Sequence, residues 1–291
     1  MEAAFLLMDK LTRYQELIAS PHTLIMGVLN VTPDSFSDGG KYLRPEDAVH
    51  RVAEMLSEGA DIIDIGGQST RPPGSTYGSG AEDVSLEEEG KRVYPVIEAI
   101  AKNFPKAIIS IDTTKALVAR RALELGATII NDVSGATQEP LIADVAKEMN
   151  APLIIMHGYG PEFSKEKIEE YDYSDVVQSV FDWLRDRIVL LRAKGVEHIL
   201  ADIGFGFAKI AGDNIRLLRE HDYFSELGVP LVLGVSRKST IGKLLGGVPP
   251  EGRLYGSIAA GLYGSQHGAK IIRTHDVHQT KEALRVWDAI I

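Results

Sequence analysis

What most limits the fold of this chain is its rhythm: eight short apolar runs, rich in Ile, Val and Leu, each followed by a longer segment. The runs occupy 24–29, 61–65, 107–111, 128–131, 152–156, 198–201, 230–234 and 270–273. The segments at 45–59, 86–103, 114–126, 139–150, 174–195, 212–218, 252–268 and 280–290 carry apolar residues at helical spacing. Runs apolar on both faces suit a parallel sheet covered by helices. Gly59, Gly126, Gly195 and Gly268 each follow a helical stretch, where a left-handed residue ends a helix at no steric cost. Eight such units in 291 residues predict an α/β chain folded as a closed (β/α)8 TIM barrel over 23–291. A short N-terminal helical extension over 1–22, with its helix at 7–19, precedes it. An open doubly wound sheet would need fewer strands or a second domain.

The charge balance narrows the partners. The net charge of −10 argues against a nucleic-acid-binding surface and against an anionic membrane. No run approaches the ~20 apolar residues that span a bilayer. With no cysteine, disulfides and thiolate metal sites are excluded, as suits a reducing cytoplasm. An acidic chain can still bind an anion, but only through a local cluster of cations and N–H groups.

In a barrel of this kind catalytic groups follow the strands at one face, and every predicted strand here runs into polar or glycine-rich residues. Lys238, Arg273 and His275 follow strands seven and eight, a common phosphate position, with Asn30 beside them after strand one and Arg71 within reach after strand two. They form the expected cationic cluster for a diphosphate. Asp112, Asn131 and Asp202, after strands three, four and six, offer acceptors and a donor to a flat nitrogen heterocycle. Lys238 is the expected internal partner of Asp202, and Met156, Phe205 and Phe207 are expected along the faces of the ring. His157 reads as a structural hydrogen-bonder before a catalyst.

The strings MGVLNVTPDSFSDGG (26–40) and DIGGQSTRP (64–72), followed in order by IDTTK, NDVSG, GFGFAK, GVSRKS and RTHDV, resemble the dihydropteroate synthase family over nearly the whole chain from Thr23. The resemblance implies condensation of 6-hydroxymethyl-7,8-dihydropterin diphosphate with p-aminobenzoate, releasing pyrophosphate. It implies that Asp112, Asn131, Asp202 and Lys238 hold the pterin. Asn30, Arg71, Arg273 and His275 would hold the diphosphate, with Asn30 also at a Mg2+ ion. Phe36, Thr70, Pro72, Phe207, Ser236 and Lys238 would form the p-aminobenzoate pocket. The groups expected to act on the reacting atoms are Asp112, Lys238, Arg273 and His275.

Three features depart from the family's usual pattern. Ile203 and Ala208 stand where it has proline and glycine in the loop after strand six, and Gln68 stands where many members have glutamate. The Gly- and Ser-rich stretch at 72–83 is longer than in compact members. Two other readings share the barrel: a methyltetrahydrofolate–corrinoid methyltransferase module, which would need neither NVTPDSF nor SRK, and a non-catalytic pterin-binding homologue. The family often dimerises through the helical stretches at 254–267 and 277–290, so a homodimer is expected, although the small residues at 257–264 suit helix-to-barrel packing equally well; with no transit peptide evident, a cytoplasmic enzyme is expected.

Overall fold

The computed structural model describes residues 2–32, 44–68, 84–158, 160–161, 163 and 173–291. In chain order they form α1 (Glu2–Ala19), β1 (Leu24–Asn30), α2 (Pro45–Glu58), β2 (Ile62–Gly66), α3 (Leu86–Asn103), β3 (Ile108–Asp112), α4 (Ala116–Glu124), β4 (Ile129–Asp132) and α5 (Leu141–Glu148). There follow β5 (Leu153–Met156), α6 (Val176–Lys194), β6 (Ile199–Asp202), α7 (Ala211–Arg219), β7 (Leu231–Leu233), α8 (Ser239–Leu244), α9 (Leu254–Gln266), β8 (Ala269–Thr274) and α10 (Val277–Ile290). All eight strands pair in parallel in sequence order, and β8 closes on β1 through Leu24↔Ile271 to Gly27↔Thr274.

The expected strands are all present. The four glycines expected to end helices are left-handed, with φ of +101°, +114°, +93° and +91° at Gly59, Gly126, Gly195 and Gly268. The sequence reading missed α8, which at six residues is too short to show a helical period. It also ran 252–268 together, whereas a 3-10 turn (Pro250–Arg253) precedes α9.

Side chains alternate along a strand, so one set meets the helices and the other the barrel axis. The outward set includes Ile63, Ile109, Ile130, Ile155 and Ile272, packed with the helices. The inward set starts with an apolar plug: Met26, Ile62, Ile108, Ile129, Ile154, Leu200, Val232 and Ile271, together with Tyr14 of α1. Helix α1 therefore covers the N-terminal end of the barrel, and its buried Lys10 donates to the Gly126 carbonyl at 2.6 Å. Two residues further along the inward faces, the character changes to Asp64, Ser110, Asn131, Met156, Asp202, Gly234 and Arg273. Apolar plug below and polar layer above thus come from one alternation.

The plug gives a stability prediction separable from activity. Tyr14 is 4% exposed, and Tyr14→Ala should cost about 3 kcal/mol by opening a cavity. Urea unfolding should show the loss, while turnover at the opposite face stays within twofold of the parent.

Candidate active site

The polar layer centres on Arg273. Its Nε donates to Asp64 Oδ2 at 2.6 Å and its Nη2 to Asp112 Oδ2 at 2.9 Å. Asn131 Nδ2 donates to the same Asp64, at 3.2 Å to Oδ2 and 3.4 Å to Oδ1. Register explains the convergence: Gly66, Asp112 and Asn131 are neighbours across β2, β3 and β4, with Asp64 one pleat below Gly66. A Cβ at Gly66 would sit in ordinary contact with Asp112, 3.5 Å from its Cβ, so the two positions are direct neighbours at the mouth. Burial pushes Asp112 up to about 7, with Arg273 pulling it back and Asp64 pushing it further. Burial opposes the charge of Arg273, but Asp64 and Asp112 outweigh it and hold the guanidinium above its ordinary value. The acids and the cationic cluster read from the sequence therefore share one side of the mouth at Arg273. The arginine lies among the acids, because two buried carboxylates need a charge between them.

On the β6 side, Asp202 Oδ1 accepts the Gly204 N–H at 2.7 Å. Burial raises the Asp202 pKa, while that hydrogen bond and the charges of Lys238, Arg273 and Lys209 lower it. Lys238 acts on Asp202 through its charge, and its Nζ lies 4.0 Å from the centre of the Phe207 ring. Phe207 packs with Met156 and Val133. Phe205, expected beside them, instead faces the helix–barrel core. Ala208, where the family pattern has glycine, still adopts a left-handed backbone at φ +46°. The loop keeps a glycine-like path despite the substitution. Ala208→Gly should therefore stabilise the fold by about 0.5–1 kcal/mol, the strain of an alanine there less the extra chain entropy of glycine. Thermal unfolding checks this; a lower midpoint would contradict it.

Behind β7 and β8, Ser236 Oγ accepts the His275 N–H at 3.2 Å and lies 3.0 Å from its Nδ1. Where the hydroxyl donates to Nδ1, the imidazole proton stands on Nε2. Burial, then Arg273 and Arg237, push His275 down to about 3. It is a neutral donor, not the third cation of the sequence reading. The residue between Ser236 and Lys238, Arg237, is left-handed at φ +57° and holds Asp276 through two hydrogen bonds. This strap fixes the β7 loop to the β8 loop.

Asn30 ends β1 in register with Gly66. Phe36, Thr70, Arg71 and Pro72 lie outside the described residues. The stem that leads to the last three is held from two sides. Lys115 Nζ donates to Gln68 Oε1 at 2.8 Å and to the buried Glu89 at 2.5 Å, and Arg92 donates to the Gly67 carbonyl at 2.9 Å. Gln68 is thus a neutral partner to a lysine whose charge is met by Glu89.

Two site residues escaped the sequence reading. Asp64 stands inside its strand, where attention to post-strand loops passes over it; its signal is a carboxylate on the inward parity of Ile62. Lys209 closes GFGFAK, yet is buried behind the loop with His157.

The family model described as "Pterin binding enzyme" matches residues 26–275. A dihydropteroate synthase from Synechocystis is 45% identical over 92% of this chain and 90% of its own length. The chain belongs to the dihydropteroate synthase family. The family's solved structures agree with the barrel. The Xanthomonas albilineans dihydropteroate synthase with 4-aminobenzoic acid superposes with a TM-score of 0.84 at 42% identity, covering 93% of each chain. The Yersinia pestis dihydropteroate synthase in complex with a sulfonamide drug gives 0.83 at 39% identity, over 92% of this chain and 94% of its own.

Asn30, at the end of β1, is the residue expected at Mg2+. Among the described residues, no group of three or more His, Asp or Glu side chains could hold an ion. One amide oxygen fits Mg2+, which commonly takes one or two protein ligands and completes its shell with substrate phosphates and water.

Proposed function

We propose that this chain forms 7,8-dihydropteroate, joining the amine of p-aminobenzoate to the methylene carbon of the pterin diphosphate with release of pyrophosphate. The observation that carries the reading is the inward layer itself: Asp112, Asn131 and Asp202 around Arg273, with Lys238 over Phe207 at the same mouth. Asp112, Asn131 and Asp202 pair with the donors and acceptors along the pterin edge. Met156 and Phe207 cover its face, and Lys238 closes the pocket toward p-aminobenzoate. Phe36, Thr70, Pro72 and Ser236 complete that second pocket in this reading.

The C–O bond to the diphosphate breaks as the neutral amine adds its lone pair to the carbon, and the amine then loses a proton. No strong base is needed, so the residues act by position and charge. Arg273, whose side chain is 22% exposed toward the mouth, meets the leaving diphosphate together with Arg71 and the Nε2–H of His275. Ionised Asp112 beside the ring favours the positive charge that develops on the pterin methylene. Asn30 would hold Mg2+, which when bound supplies further neutralisation of the diphosphate charge.

The test is incubation of purified protein with the pterin diphosphate, p-aminobenzoate and Mg2+. Dihydropteroate should appear with one pyrophosphate per turnover, and a sulfonamide should raise the KM for p-aminobenzoate without changing kcat. Tight pterin binding without product would instead select the non-catalytic homologue, and methyl transfer to cobalamin the corrinoid reading.

We place the enzyme in the cytoplasm, as a homodimer. Among the described residues, no helix is long and apolar enough to cross a membrane. Leu244, Leu245, Tyr255, Val286 and Ile290 present large exposed apolar side chains on α8 to α10, more than isolated surface residues need. Tyr255→Asp should convert a dimer to a monomer in sedimentation velocity; an unchanged coefficient would remove this face from the interface.

A further inference from the structure

The loop after β6 starts from one proposed binding group, Asp202, and carries another, Phe207, yet its own backbone is irregular. Gly204, Gly206 and Ala208 are all left-handed, at φ +69°, +85° and +46°. The carbonyls of Gly204 and Phe207 converge on one buried point of this loop, and buried carbonyls require a donor. Lys209 supplies it. It is 6% exposed, and its Nζ lies 3.1 Å from the Gly204 carbonyl, 3.0 Å from that of Phe207 and 2.9 Å from His157 Nδ1.

We propose that Lys209 is a positioning residue of the reaction: its ammonium is the template around which this loop folds, and so sets where Asp202 and Phe207 stand. The inference rests on the site reading given above.

Burial pulls Lys209 down to about 7, with the charges of Asp202 and Asp213 opposing it; in the ammonium form its three protons match the three close partners. The fourth contact, the His157 carbonyl at 3.5 Å, is at the limit of hydrogen bonding. For Nδ1 to accept, the imidazole must be neutral. Burial, and then the charge of Lys209, hold His157 well below its usual value. The ring is fixed in turn by Phe163 at 4.8 Å and Trp183 at 5.3 Å, both edge-to-face. The remaining groups of the loop are met from outside. Gly206 N–H donates to Asn214 Oδ1 at 2.7 Å, and the Tyr173 hydroxyl donates to the Ala208 carbonyl at 3.1 Å. Little slack is left: a Cβ at Gly204 would come within 1.7 Å of the His157 carbonyl.

The ammonium therefore ties the two proposed binding groups into one cluster. Gly204 delivers its carbonyl to Lys209 and its N–H to Asp202 Oδ1. Phe207 delivers its carbonyl to Lys209 and its ring to Lys238. Removing the ammonium takes the Lys209 donor from two buried carbonyls, one of Phe207 itself and one of Gly204, whose N–H holds Asp202.

Because the chain has no cysteine, Lys209→Cys creates a single thiol. The unfolded variant can be alkylated with 2-bromoethylamine, which restores an ammonium at lysine's reach, or with iodoacetamide, which gives a neutral amide of similar length, and then refolded beside the parent. The aminoethylated form should recover at least a third of the parent's kcat/KM for both substrates. The carbamidomethylated form and Lys209→Met should lose at least 100-fold. If Lys209→Met does not fold, the two alkylated forms carry the comparison. A carbamidomethylated form within threefold of the aminoethylated one would overturn the proposal, as would an aminoethylated form that stays inactive while the parent refolds. Asp202→Ala, assayed in parallel, separates the two levels. Normal turnover there sinks the site reading, whereas a crippled Asp202→Ala beside an active neutral position 209 sinks only the role of Lys209.

Discussion

Arg273→Ala is expected to lower kcat/KM about 10³-fold, as loss of a principal charge-stabilising donor does, and also to weaken the fold. The second effect follows from the two carboxylates that the guanidinium joins, Asp64 and Asp112, which are 0% and 8% exposed in their side chains. Breaking a buried pair from one side strands the other charge, at a cost of about 3–5 kcal/mol. From sequence alone, Arg273 reads as a diphosphate ligand that could be removed with the fold intact; its position between two buried acids alters that expectation. The two effects can be separated. Arg273→Ala/Asp64→Ala removes one stranded carboxylate, and should regain part of the stability in urea unfolding while turnover stays at the level of the single variant. If Arg273→Ala unfolds at the parent's urea midpoint, the guanidinium is not what neutralises the acids. If pyrophosphate release is near normal, it does not serve the leaving group.

The barrel was legible because its signals are local and repeated. Strand length and helical spacing say the same thing at each of eight units, a left-handed glycine adds to it after four of the helical stretches, and α8 was lost because six residues carry too little of that signal. The rim was legible for a different reason: polar residues that follow a strand have one place to go in this fold. What could not be read is which groups pair. Asp112, Asn131, Asp202, Lys238 and Arg273 converge, but nothing in their order says that Arg273 reaches across the axis to β2 and β3. Nor does it say that Lys238 settles over Phe207. The neutrality of His275 was hidden in the same way, since it comes first from burial, which no local window shows, and then from Arg273 two residues before it and Arg237 after the neighbouring strand. Asp64 was readable in principle. Counting parity from Ile62 puts it on the inward face, where a lone carboxylate requires a partner.

Asp202 offers the sharper test of the pterin pocket, since its two oxygens are committed differently. Oδ1 is taken by the Gly204 N–H at 2.7 Å, while Oδ2 faces the axis, 3.7 Å from where a Cβ on Gly234 of the next strand would lie. One oxygen builds the loop and the other remains for the ligand. Asp202→Asn cannot serve both roles. If its oxygen takes the Gly204 N–H, its NH2 confronts the donors of the pterin; if it turns, the NH2 meets the Gly204 N–H. Either way two donors are opposed in a buried site. The expected loss of pterin affinity is about 10³-fold or more, in the range seen when a site's polar groups are left mismatched. Asp202→Ala removes the acceptor but opens space in which water can bridge the pterin donors, so its loss should be smaller, about 10²-fold. The near-isosteric change should therefore be the more damaging of the two, which calorimetric titration of each folded variant with the pterin would measure. The reverse order, or equal weak losses, would mean that Asp202 does not face a donor edge, and the orientation of the heterocycle proposed here would have to be turned over.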